Sequence, residues 1–592
     1  MATSKNYRLE KLLGYAKRTQ TILLGGLLMA LLTVVADLFA PRIIARILDH
    51  ELIEGIGTRD YDVFIQLVVL YGGLIALSAL TRFLSLIFFQ RGAHKVSRYM
   101  QEDLFRHVQT LPIQYFDSLP AGKVVSRVTN DTKDVIILFQ VVLSNLSTAA
   151  LYLIGIYGSL LLLDPKLALI AAIPLPIIGW VIMDYRKKST ELNTVYRSNL
   201  SELNASLNEN IQGMEIIQAF TQEESTYQSF SQINDTIYGA QLGMTKLMSY
   251  SSFNAIGFLR YFTIGTILLY FGYGHITGAY PVSVGILYVF ISYMMKIYDQ
   301  SQNVLDRIGQ LQRANVASDH IFSLLQQPGL SQESHQPIEV KGDVTFEHLS
   351  FYYKDGEYVL KDVSFTVEQG KTAAFVGHTG SGKSTIMNLL LRFYEAQHGQ
   401  ILIDGRPITE LPRRRFREHV AIVLQDPYLF TGTILSNVTL GNPDITEDMA
   451  YQAFIDVGGR EFLDRHPQGL HTPITEKGAT FSAGERQLIS FARALAKNPK
   501  ILVLDEATAN IDSETEQLIQ RGVERLKKGR TTLLIAHRLS TIREADQIFV
   551  LDKGRIVEAG DHEELIRLDG EYKQMYLHQS NQTNGNGKTD RQ

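Results

Sequence analysis

Eight consecutive residues in the second half of the sequence have the types and spacing of a phosphate-binding loop. They read Gly-His-Thr-Gly-Ser-Gly-Lys-Ser from Gly377 to Ser384, and the glycines let backbone N–H groups approach phosphate oxygens closely. Lys383 is expected to reach the β- and γ-phosphates of a nucleotide, and the Ser384 hydroxyl is expected to bind Mg²⁺. The residues of this predicted site are Gly377, His378, Thr379, Gly380, Ser381, Gly382, Lys383, Ser384 and Thr385.

The neighbours of the loop favour this interpretation over a glycine-rich turn that matches by chance. Residues 372–376 before it are typical of a buried strand, and residues 385–391 after it are typical of a helix. The N-terminus of that helix is expected to face the phosphates, because its free N–H groups attract anions.

Two acidic residues, Asp505 and Glu506, directly follow the apolar run Ile501–Leu504. Such a run predicts a buried strand of a parallel sheet, and ligands bind outside the carboxyl ends of these strands. Asp505 is expected to hold Mg²⁺ directly or through water, and Glu506 to polarise the water that attacks the γ-phosphate. The alternative, a strand end that only meets solvent, is disfavoured by the phosphate loop.

The composition excludes several classes of function. The 592 residues carry a formal net charge of −4 and contain no cysteine. Disulfides, thiolate metal sites and cysteine nucleophiles are therefore excluded, and the charge gives no support to a nucleic-acid partner. A chain of this length is expected to form two or more domains.

Six apolar segments in the first half have about the 20 residues needed to cross a lipid bilayer. Their approximate limits are 20–41, 64–89, 138–163, 167–184, 253–274 and 282–303. A buried helical core is the alternative, but uncharged runs such as 22–36 argue against it. Lysine and arginine are abundant before the first segment and between the second and third, and absent between the fifth and sixth. Both termini and the long connections are therefore predicted to be cytoplasmic.

The connections after the second and fourth segments keep a helical pattern, which predicts that the spanning helices continue beyond the membrane. The predicted extensions are 91–110, 122–137, 185–211 and 222–250, with hairpin tips at 111–117 and 211–215. Residues 7–18 are typical of a short amphipathic helix on an anionic membrane face.

These patterns predict a multidomain fold. A six-helix α transmembrane domain with long cytoplasmic hairpins is expected at 1–325 and a linker rich in Pro, Gly and polar residues at 326–343. Alternating strand-like and helical runs then predict an α/β domain at 344–579. Residues 580–592, rich in Asn, Gln and Gly, are expected to form a disordered tail.

Five motifs in order make the sequence resemble an ATP-binding-cassette exporter over essentially its whole length. They are Gly377–Ser384, Gln425 in Val-Leu-Gln-Asp-Pro, Phe481–Gln487, Ile501–Glu506, and His537 in Ile-Ala-His-Arg-Leu-Ser. The resemblance implies a half-transporter of a bacterial cell membrane, with its membrane domain fused ahead of a P-loop ATPase domain. It also implies ATP and Mg²⁺ as cofactors, and it makes the hairpin tips the coupling helices of that family.

The resemblance assigns roles to individual residues of this sequence. Tyr353 matches the aromatic residue that stacks on adenine, and Tyr352 is the less favoured choice. Gln425 matches the residue near Mg²⁺ and the attacking water. Glu506 matches the general base, and His537 matches the residue that contacts the γ-phosphate.

Ser482 and Gly484 match the signature segment, which in this family completes the ATP site of the opposite chain, so dimerisation is implied. The usual Leu-Ser-Gly-Gly-Gln reads Phe-Ser-Ala-Gly-Glu here, and 509–512 read Ala-Asn-Ile-Asp instead of Ser-Ala-Leu-Asp. Ala483 adds a Cβ where backbone should approach phosphate, and Glu485 is expected to bring negative charge towards an anionic ligand. This pattern resembles the subunit of heterodimeric bacterial multidrug exporters that carries the catalytic glutamate. A homodimer with two tolerant sites is the alternative.

The sequence gives little information about the identity of the substrate. Asp37 is a candidate to attract a cationic drug and Arg260 and Lys296 are candidates to pair with partners, but structural roles are favoured near segment ends. Export of hydrophobic or amphipathic compounds is the favoured function, with a lipid flippase or a peptide exporter as alternatives. An importer is disfavoured by the fused domains, and an ATP-gated channel by Glu506 and His537. Aromatic residues and methionines that suit such substrates, or simple helix packing, are Phe253, Phe258, Tyr261, Phe262, Tyr270, Tyr288, Phe290, Tyr293, Met294 and Met295.

Overall fold

The computed structural model describes residues 2–54, 61–117, 119, 121–163, 165–277, 283–330, 336–505, 513–535 and 539–586. The chain divides into two compact units. The first consists of Met1–Leu111 and Leu119–Gly329, and the second consists of Pro112–Ser118 and Leu330–Gln592. Helices form the first unit, and strands and helices form the second, which confirms the predicted fold class.

The helices before the linker range from 5 to 48 residues, and short π-helical segments occur at Ile47–Glu54, Arg127–Asp131, Gln140–Leu146 and Ser249–Ala255. They are α1 (Ala2–Arg18), α2 (Gln20–Arg46), α3 (Tyr61–Val108), α4 (Ile113–Asp117), α5 (Ala121–Ser126), α6 (Thr132–Phe139), α7 (Ser147–Leu163), α8 (Pro165–Ala172), α9 (Pro174–Gln212), α10 (Met214–Ala219), α11 (Glu223–Met248), α12 (Ile256–Thr277) and α13 (Val284–Leu325).

Within the described residues, five helical stretches are long and apolar enough to cross a membrane. They are Gln20–Glu51, Asp62–Val108, Gly122–Leu163, Pro165–Gln212 and Glu223–Thr277. The sixth predicted segment lies on α13, which is helical and carries Lys296 and Asp299 in its apolar half. Four of these stretches also contain the predicted extensions beyond the membrane, which are therefore confirmed as helix.

The tips of the two long hairpins differ. The first forms the short helix α4 within the predicted limits. The second tip, predicted at 211–215, is longer than expected, because α10 adds a turn of helix after Gly213. The chain reverses fully only at Thr221, whose φ of 51° is left-handed. The predicted tip therefore ends too early.

Small and hydroxyl residues let α2 and α3 pack closely. A Cβ on Gly92 would lie 2.4 Å from Leu23 Cδ2, so a larger residue there would require Leu23 to move. The Ser85 hydroxyl donates to the Gly26 carbonyl at 3.0 Å, which satisfies a polar group in the apolar bundle. The predicted helix at 7–18 is part of the longer α1, and its Tyr15 hydroxyl donates to Asp103 on α3 at 3.1 Å.

In the described residues of the second unit, twelve strands form three sheets. They are β1 (Val344–Tyr352), β2 (Tyr358–Val367), β3 (Thr372–Val376), β4 (His398–Ile403), β5 (Arg406–Pro407), β6 (Val420–Val423), β7 (Gly432–Thr433), β8 (Pro473–Ile474), β9 (Ile501–Asp505), β10 (Thr531–Ile535), β11 (Gln547–Asp552) and β12 (Arg555–Gly560). The four-stranded sheet has the order β2-β1-β4-β5 and is antiparallel. The six-stranded sheet has the order β12-β11-β3-β10-β9-β6 and is parallel except for β12.

The six-stranded sheet is covered by a hydrophobic core on each face. On β9, Leu502 and Leu504 belong to one core, whereas Ile501 and Val503 belong to the other. Successive side chains of a strand point to opposite faces, so a strand buried on both faces must be apolar throughout. This requirement explains the continuous apolar runs that predicted β3 and β9.

The helices that follow β3 in the second unit are short or moderate in length. They are α14 (Lys383–Leu390), α15 (Arg413–Glu418), α16 (Ile434–Thr439), α17 (Glu447–Asp456), α18 (Arg460–Asp464), α19 (Ala483–Ala496), α20 (Ser513–Lys527), α21 (Leu539–Arg543), α22 (His562–Leu568) and α23 (Glu571–Asn586), with 3₁₀ turns at Ile408–Glu410, Gly469–His471 and Glu476–Gly478.

The predicted disordered tail begins too early. Helix α23 continues through residues 580–586, and residues 587–592 lie outside the described residues. The sequence contains no proline or glycine from Glu571 to Asn584, so no residue in that stretch interrupts the helical hydrogen bonds.

Candidate functional site

The predicted phosphate loop connects β3 to the N-terminus of α14, as its motif requires. Gly377, Gly380 and Gly382 have φ angles of 150°, 84° and 106°, a region that other residues rarely adopt. A Cβ on Gly377 would lie 2.2 Å from the Leu551 carbonyl oxygen, and one on Gly382 would lie 2.6 Å from Leu360 Cδ2. Gly377 and Gly382 are therefore required by both the backbone conformation and the close packing of the loop, and Gly380 by its conformation alone.

Polar groups of this loop remain available to an anion. The Ser381 hydroxyl is buried and, among the described residues, has no hydrogen-bond partner. Helix α14 begins at a left-handed Gly382 with no side-chain cap, so its first N–H groups are not satisfied by a capping side chain. Buried donors and a helix N-terminus together fit a phosphate group.

Lys383 is the cation of the loop. Its side chain is buried, and its Nζ donates to the carbonyls of Gly377 at 2.7 Å and His378 at 2.9 Å. Burial lowers the pKa of Lys383, whereas the negative charge of Asp505 acts in the opposite direction. An ammonium group desolvated in this way gains most from a further negative charge, such as a nucleotide phosphate.

The carboxyl ends of four parallel strands bring the other predicted residues to the same edge. Asp505 at the end of β9 lies opposite Ile535 on β10, and Ile535 lies opposite Phe375 on β3. Gln425 follows β6 by two residues and is exposed. Glu506 and His537 lie outside the described residues, one residue after β9 and two residues after β10.

Tyr353 lies beside the phosphate loop. Its hydroxyl is 3.3 Å from the Thr385 hydroxyl and accepts from the Asn388 side-chain amide at 3.3 Å, both on α14. Tyr353 as a whole is 43% exposed. Tyr352 instead makes an edge contact with Tyr358 at 5.2 Å. Of the two tyrosines, the structure thus places the one preferred from the sequence against the phosphate-loop helix.

The signature segment begins α19, and its polar side chains cap that helix. Ser482 N–H donates to Glu485 Oε2 at 2.9 Å, and Glu485 N–H donates to Ser482 Oγ at 3.3 Å, which completes a capping box. The other carboxylate oxygen lies 3.7 Å from an Arg465 guanidinium nitrogen. Gly484 is buried in the first turn, whereas Ala483 is exposed.

These contacts correct the expectation for Glu485. From the sequence, its charge was expected to face a ligand, whereas both carboxylate oxygens have partners within this chain. The signal was readable, because Ser-x-x-Glu before an apolar run is the pattern of a capping box. Arg465 could not be found this way, since it lies 20 positions before Glu485 in the sequence.

Comparisons with known proteins agree with this architecture. The ABC transporter transmembrane region matches residues 23–300, and the ABC transporter domain matches residues 360–509. A solved structure of a bacterial Atm1-family ABC exporter with ATP bound is similar with a TM-score of 0.80 and 26% identity, covering 95% of this chain and 98% of that one.

Two curated relatives are similar over most of their length. A probable multidrug resistance ABC transporter ATP-binding/permease protein of Bacillus subtilis (strain 168) is 46% identical over 520 residues, 88% of this chain and 77% of that protein. A fatty acid ABC transporter ATP-binding/permease protein of Mycobacterium tuberculosis (strain CDC 1551 / Oshkosh) is 34% identical over 477 residues, 80% of this chain and 75% of that protein.

The chain belongs to the ATP-binding-cassette transporter family, in which it is an exporter half-transporter with one membrane domain and one ATP-binding domain. It is a multi-pass protein of the bacterial cell membrane and an ATPase coupled to transport. The predicted enzyme class and localisation are thereby confirmed.

Proposed function

We propose that this chain exports hydrophobic or amphipathic compounds as one subunit of a heterodimer with one consensus and one degenerate ATP site. The observation that carries the proposal is an uncapped phosphate loop on the same chain as a signature segment whose helix is capped by its own side chains. The first is open to a nucleotide, and the second departs from the family pattern at Ala483 and Glu485.

In the consensus site, the residues of the loop bind and orient the nucleotide. The backbone from Gly377 to Thr385 surrounds the phosphates, Lys383 neutralises their charge, and Tyr353 stacks on adenine. Ser384, Gln425 and Asp505 are the candidates to hold Mg²⁺, through oxygen atoms of the kind that this cation prefers. When bound, Mg²⁺ neutralises charge on the β- and γ-phosphates.

Hydrolysis is assigned to two residues that follow parallel strands at the nucleotide edge. Glu506 accepts a proton from the attacking water, and His537 contacts the γ-phosphate. Gln425 orients the same water. Pairing of β9 with β10 puts the ends of both strands side by side, which supports a shared role for the residues that follow them.

In the degenerate site, Ser482 and Gly484 of this chain meet a nucleotide held by the partner. The Ser482 hydroxyl already accepts from Glu485 N–H, so contact with a phosphate must compete with the capping box. Ala483 adds a methyl group to the exposed first turn of α19. Both features weaken binding there relative to a glycine-rich signature.

Transport follows by alternating access. Two ATP molecules close the nucleotide-binding domains, the long hairpins transmit closure, and the membrane cavity opens outward; hydrolysis at the Glu506 site resets the cycle. Two relatives are named a probable multidrug resistance transporter and a fatty acid transporter, and these names support a hydrophobic or amphipathic substrate. The fatty acid relative also supports the alternative of a lipid or lipid-linked substrate.

A homodimeric exporter is the competing assembly, and the ion pair of Glu485 with Arg465 favours it. Because Glu485 is paired with Ser482 N–H and Arg465, less of its negative charge is available to repel a nucleotide. In that assembly both ATP sites tolerate Ala483 and hydrolyse ATP.

The test compares the chain purified alone with the chain co-expressed with the half-transporter of a neighbouring gene. We expect low ATPase activity alone and drug-stimulated activity with the partner, which falls to background with Glu506→Gln in this chain only. Full turnover by this chain alone would establish the homodimer instead.

A further inference from the structure

The predicted spanning segments contain six charged side chains, and five of them are in ion pairs. Asp37 pairs with Lys296 at 2.6 Å, Asp184 with Lys188 at 2.8 Å, and Arg260 with Asp299 at 2.8 Å. The sixth is Arg82, which forms no ion pair within the described part of the chain. The positive charge of Arg82 is therefore the one charge of the predicted spanning segments that no ion pair of the described residues neutralises.

The Asp37 network explains why a negative charge is not available there. Tyr152 Oη and Lys296 Nζ both donate to Asp37 Oδ2 at 2.6 Å, and Ser78 Oγ donates to Oδ1. The Lys296 ammonium also lies 5.3 Å from the centre of the Tyr152 ring. With its carboxylate oxygens occupied, Asp37 is a poor site for a cationic drug, which corrects the candidate role considered from the sequence.

Arg82 lines a polar cavity between the helices of the membrane unit. The cavity has a volume of about 120 Å³, enough for several water molecules or one small ionised group. Its other lining residues include Ser144, Asn145, Gln300 and Asn303, whose hydroxyl and amide groups donate hydrogen bonds. No acidic residue of the described chain lines it.

We propose that this cavity binds the acid group of the transported substrate, so that the exporter prefers amphiphiles with a carboxylate or phosphate head. The inference rests on the proposed export function and specifies its substrate class. A guanidinium with adjacent amide donors is suited to these oxyanions. Unpaired charge inside a bilayer is costly, so a substrate that neutralises Arg82 is bound selectively.

A neighbouring groove provides space for the apolar part of such a substrate. It has a volume of about 800 Å³, shares Leu86 with the polar cavity, and is lined by the apolar side chains of Ile22, Phe83 and Ile87. Its remaining charged lining is basic and includes Arg91 and Lys95. Both cavities therefore select against cationic amphiphiles.

The test measures binding of a dansylated undecanoic acid and its methyl ester to the full-length transporter in phosphatidylcholine nanodiscs, with protein-free nanodiscs as background. We expect the acid to bind at least about tenfold more tightly than the ester, the effect of one charged hydrogen bond. Arg82→Gln should remove this preference, and Arg82→Lys should retain most of it. Arg260→Gln is the matched control, and it should keep the preference because Arg260 is paired with Asp299.

Asn145→Leu and Gln300→Leu provide a second test if Arg82→Gln fails to fold, and each should lower the acid-to-ester ratio about threefold or more. Equal binding of acid and ester by the unaltered protein, or a ratio unchanged by the cavity variants, would overturn the proposal. ATP-dependent uptake of the acid over the ester into inside-out vesicles must follow the same ratio; binding without uptake would also overturn the assignment as substrate site. Because binding is measured without nucleotide, loss of the export function in ATPase assays would leave the binding ratio intact and be recognised separately.

Discussion

Two helix N-termini in the second unit, those of α14 and α19, differ in how available their backbone N–H groups are to an anion. At α14, the preceding Gly382 supplies no side chain, and the buried Ser381 hydroxyl has no partner among the described residues. At α19, Ser482 and Glu485 satisfy each other's backbone N–H groups. Free N–H groups attract an anion, whereas capped ones have part of that demand already met. The phosphate loop therefore leads into an open helix N-terminus, whereas the signature segment caps its own helix.

The difference is produced by side chains at equivalent positions. A glycine before the helix leaves its N-terminus open and allows a left-handed φ of 106°. A serine followed three residues later by an acid closes it. The predictions below test whether this difference separates a hydrolytic site from a degenerate one.

The largest effect is expected from Glu506→Gln. Removal of a general base should lower ATP hydrolysis roughly 10²- to 10⁴-fold, while nucleotide affinity stays within about threefold because the loop from Gly377 to Ser384 is unchanged. Phosphate release and fluorescent-nucleotide binding measure the two quantities. Normal hydrolysis by this variant would show that the open site is not the hydrolytic one.

The next effect tests the close packing of the open loop. Gly377→Ala places a methyl group 2.2 Å from the Leu551 carbonyl oxygen, at a residue with positive φ. We therefore expect the variant to lose about 3 kcal/mol or more of stability. It should also lose nucleotide binding. Gly380→Ala is the matched control: its φ is 84° and its added Cβ meets nothing within 4 Å, so the cost should be about 1–2 kcal/mol. Thermal unfolding of the full-length chain distinguishes them, and equal losses would contradict the packing argument.

The open site was predictable from the sequence because its chemistry is local. Glycine positions, Lys383 and the apolar run before Asp505 are fixed by the backbone and by burial on both faces of a sheet. The prediction for Glu485 was wrong because its carboxylate caps the helix that the signature segment begins. Its Arg465 partner and the pairing of Asp37 with Lys296 depend on tertiary packing between distant residues, for which sequence spacing gives no signal.

Asp546 stabilises the start of β3, the strand before the phosphate loop, and its contribution to stability depends on pH. Its carboxylate accepts from Thr372 N–H at 2.8 Å and Lys371 Nζ at 2.9 Å, at the start of the strand that carries the loop. Burial raises the pKa of Asp546, but these hydrogen bonds outweigh it and hold the pKa below its usual value. The stabilisation is therefore complete above the ordinary pKa near 4 and is lost as pH falls through the lowered value.

Asp546→Asn should cost about 1 kcal/mol at pH 7, a modest amount because the carboxylate is 40% exposed and screened by water. The difference in melting temperature between variant and parent should shrink as pH is lowered below about 4. Lys371→Met is the companion variant, since it removes one partner and leaves the Thr372 contact. A difference independent of pH would contradict the assigned cause.

The smallest effects separate capping from charge at the signature segment. Glu485→Ala removes the capping box and should destabilise α19 by about 1 kcal/mol. Glu485→Gln keeps an oxygen that accepts from Ser482 N–H. It loses only the exposed ion pair with Arg465, worth less than about 0.5 kcal/mol. If capping rather than repulsion governs this segment, Glu485→Gln leaves the ATPase rate of the assembled transporter within about twofold. A rise of tenfold or more would show instead that the carboxylate repels the partner's nucleotide, because tenfold corresponds to about 1.4 kcal/mol, more than the lost ion pair supplies.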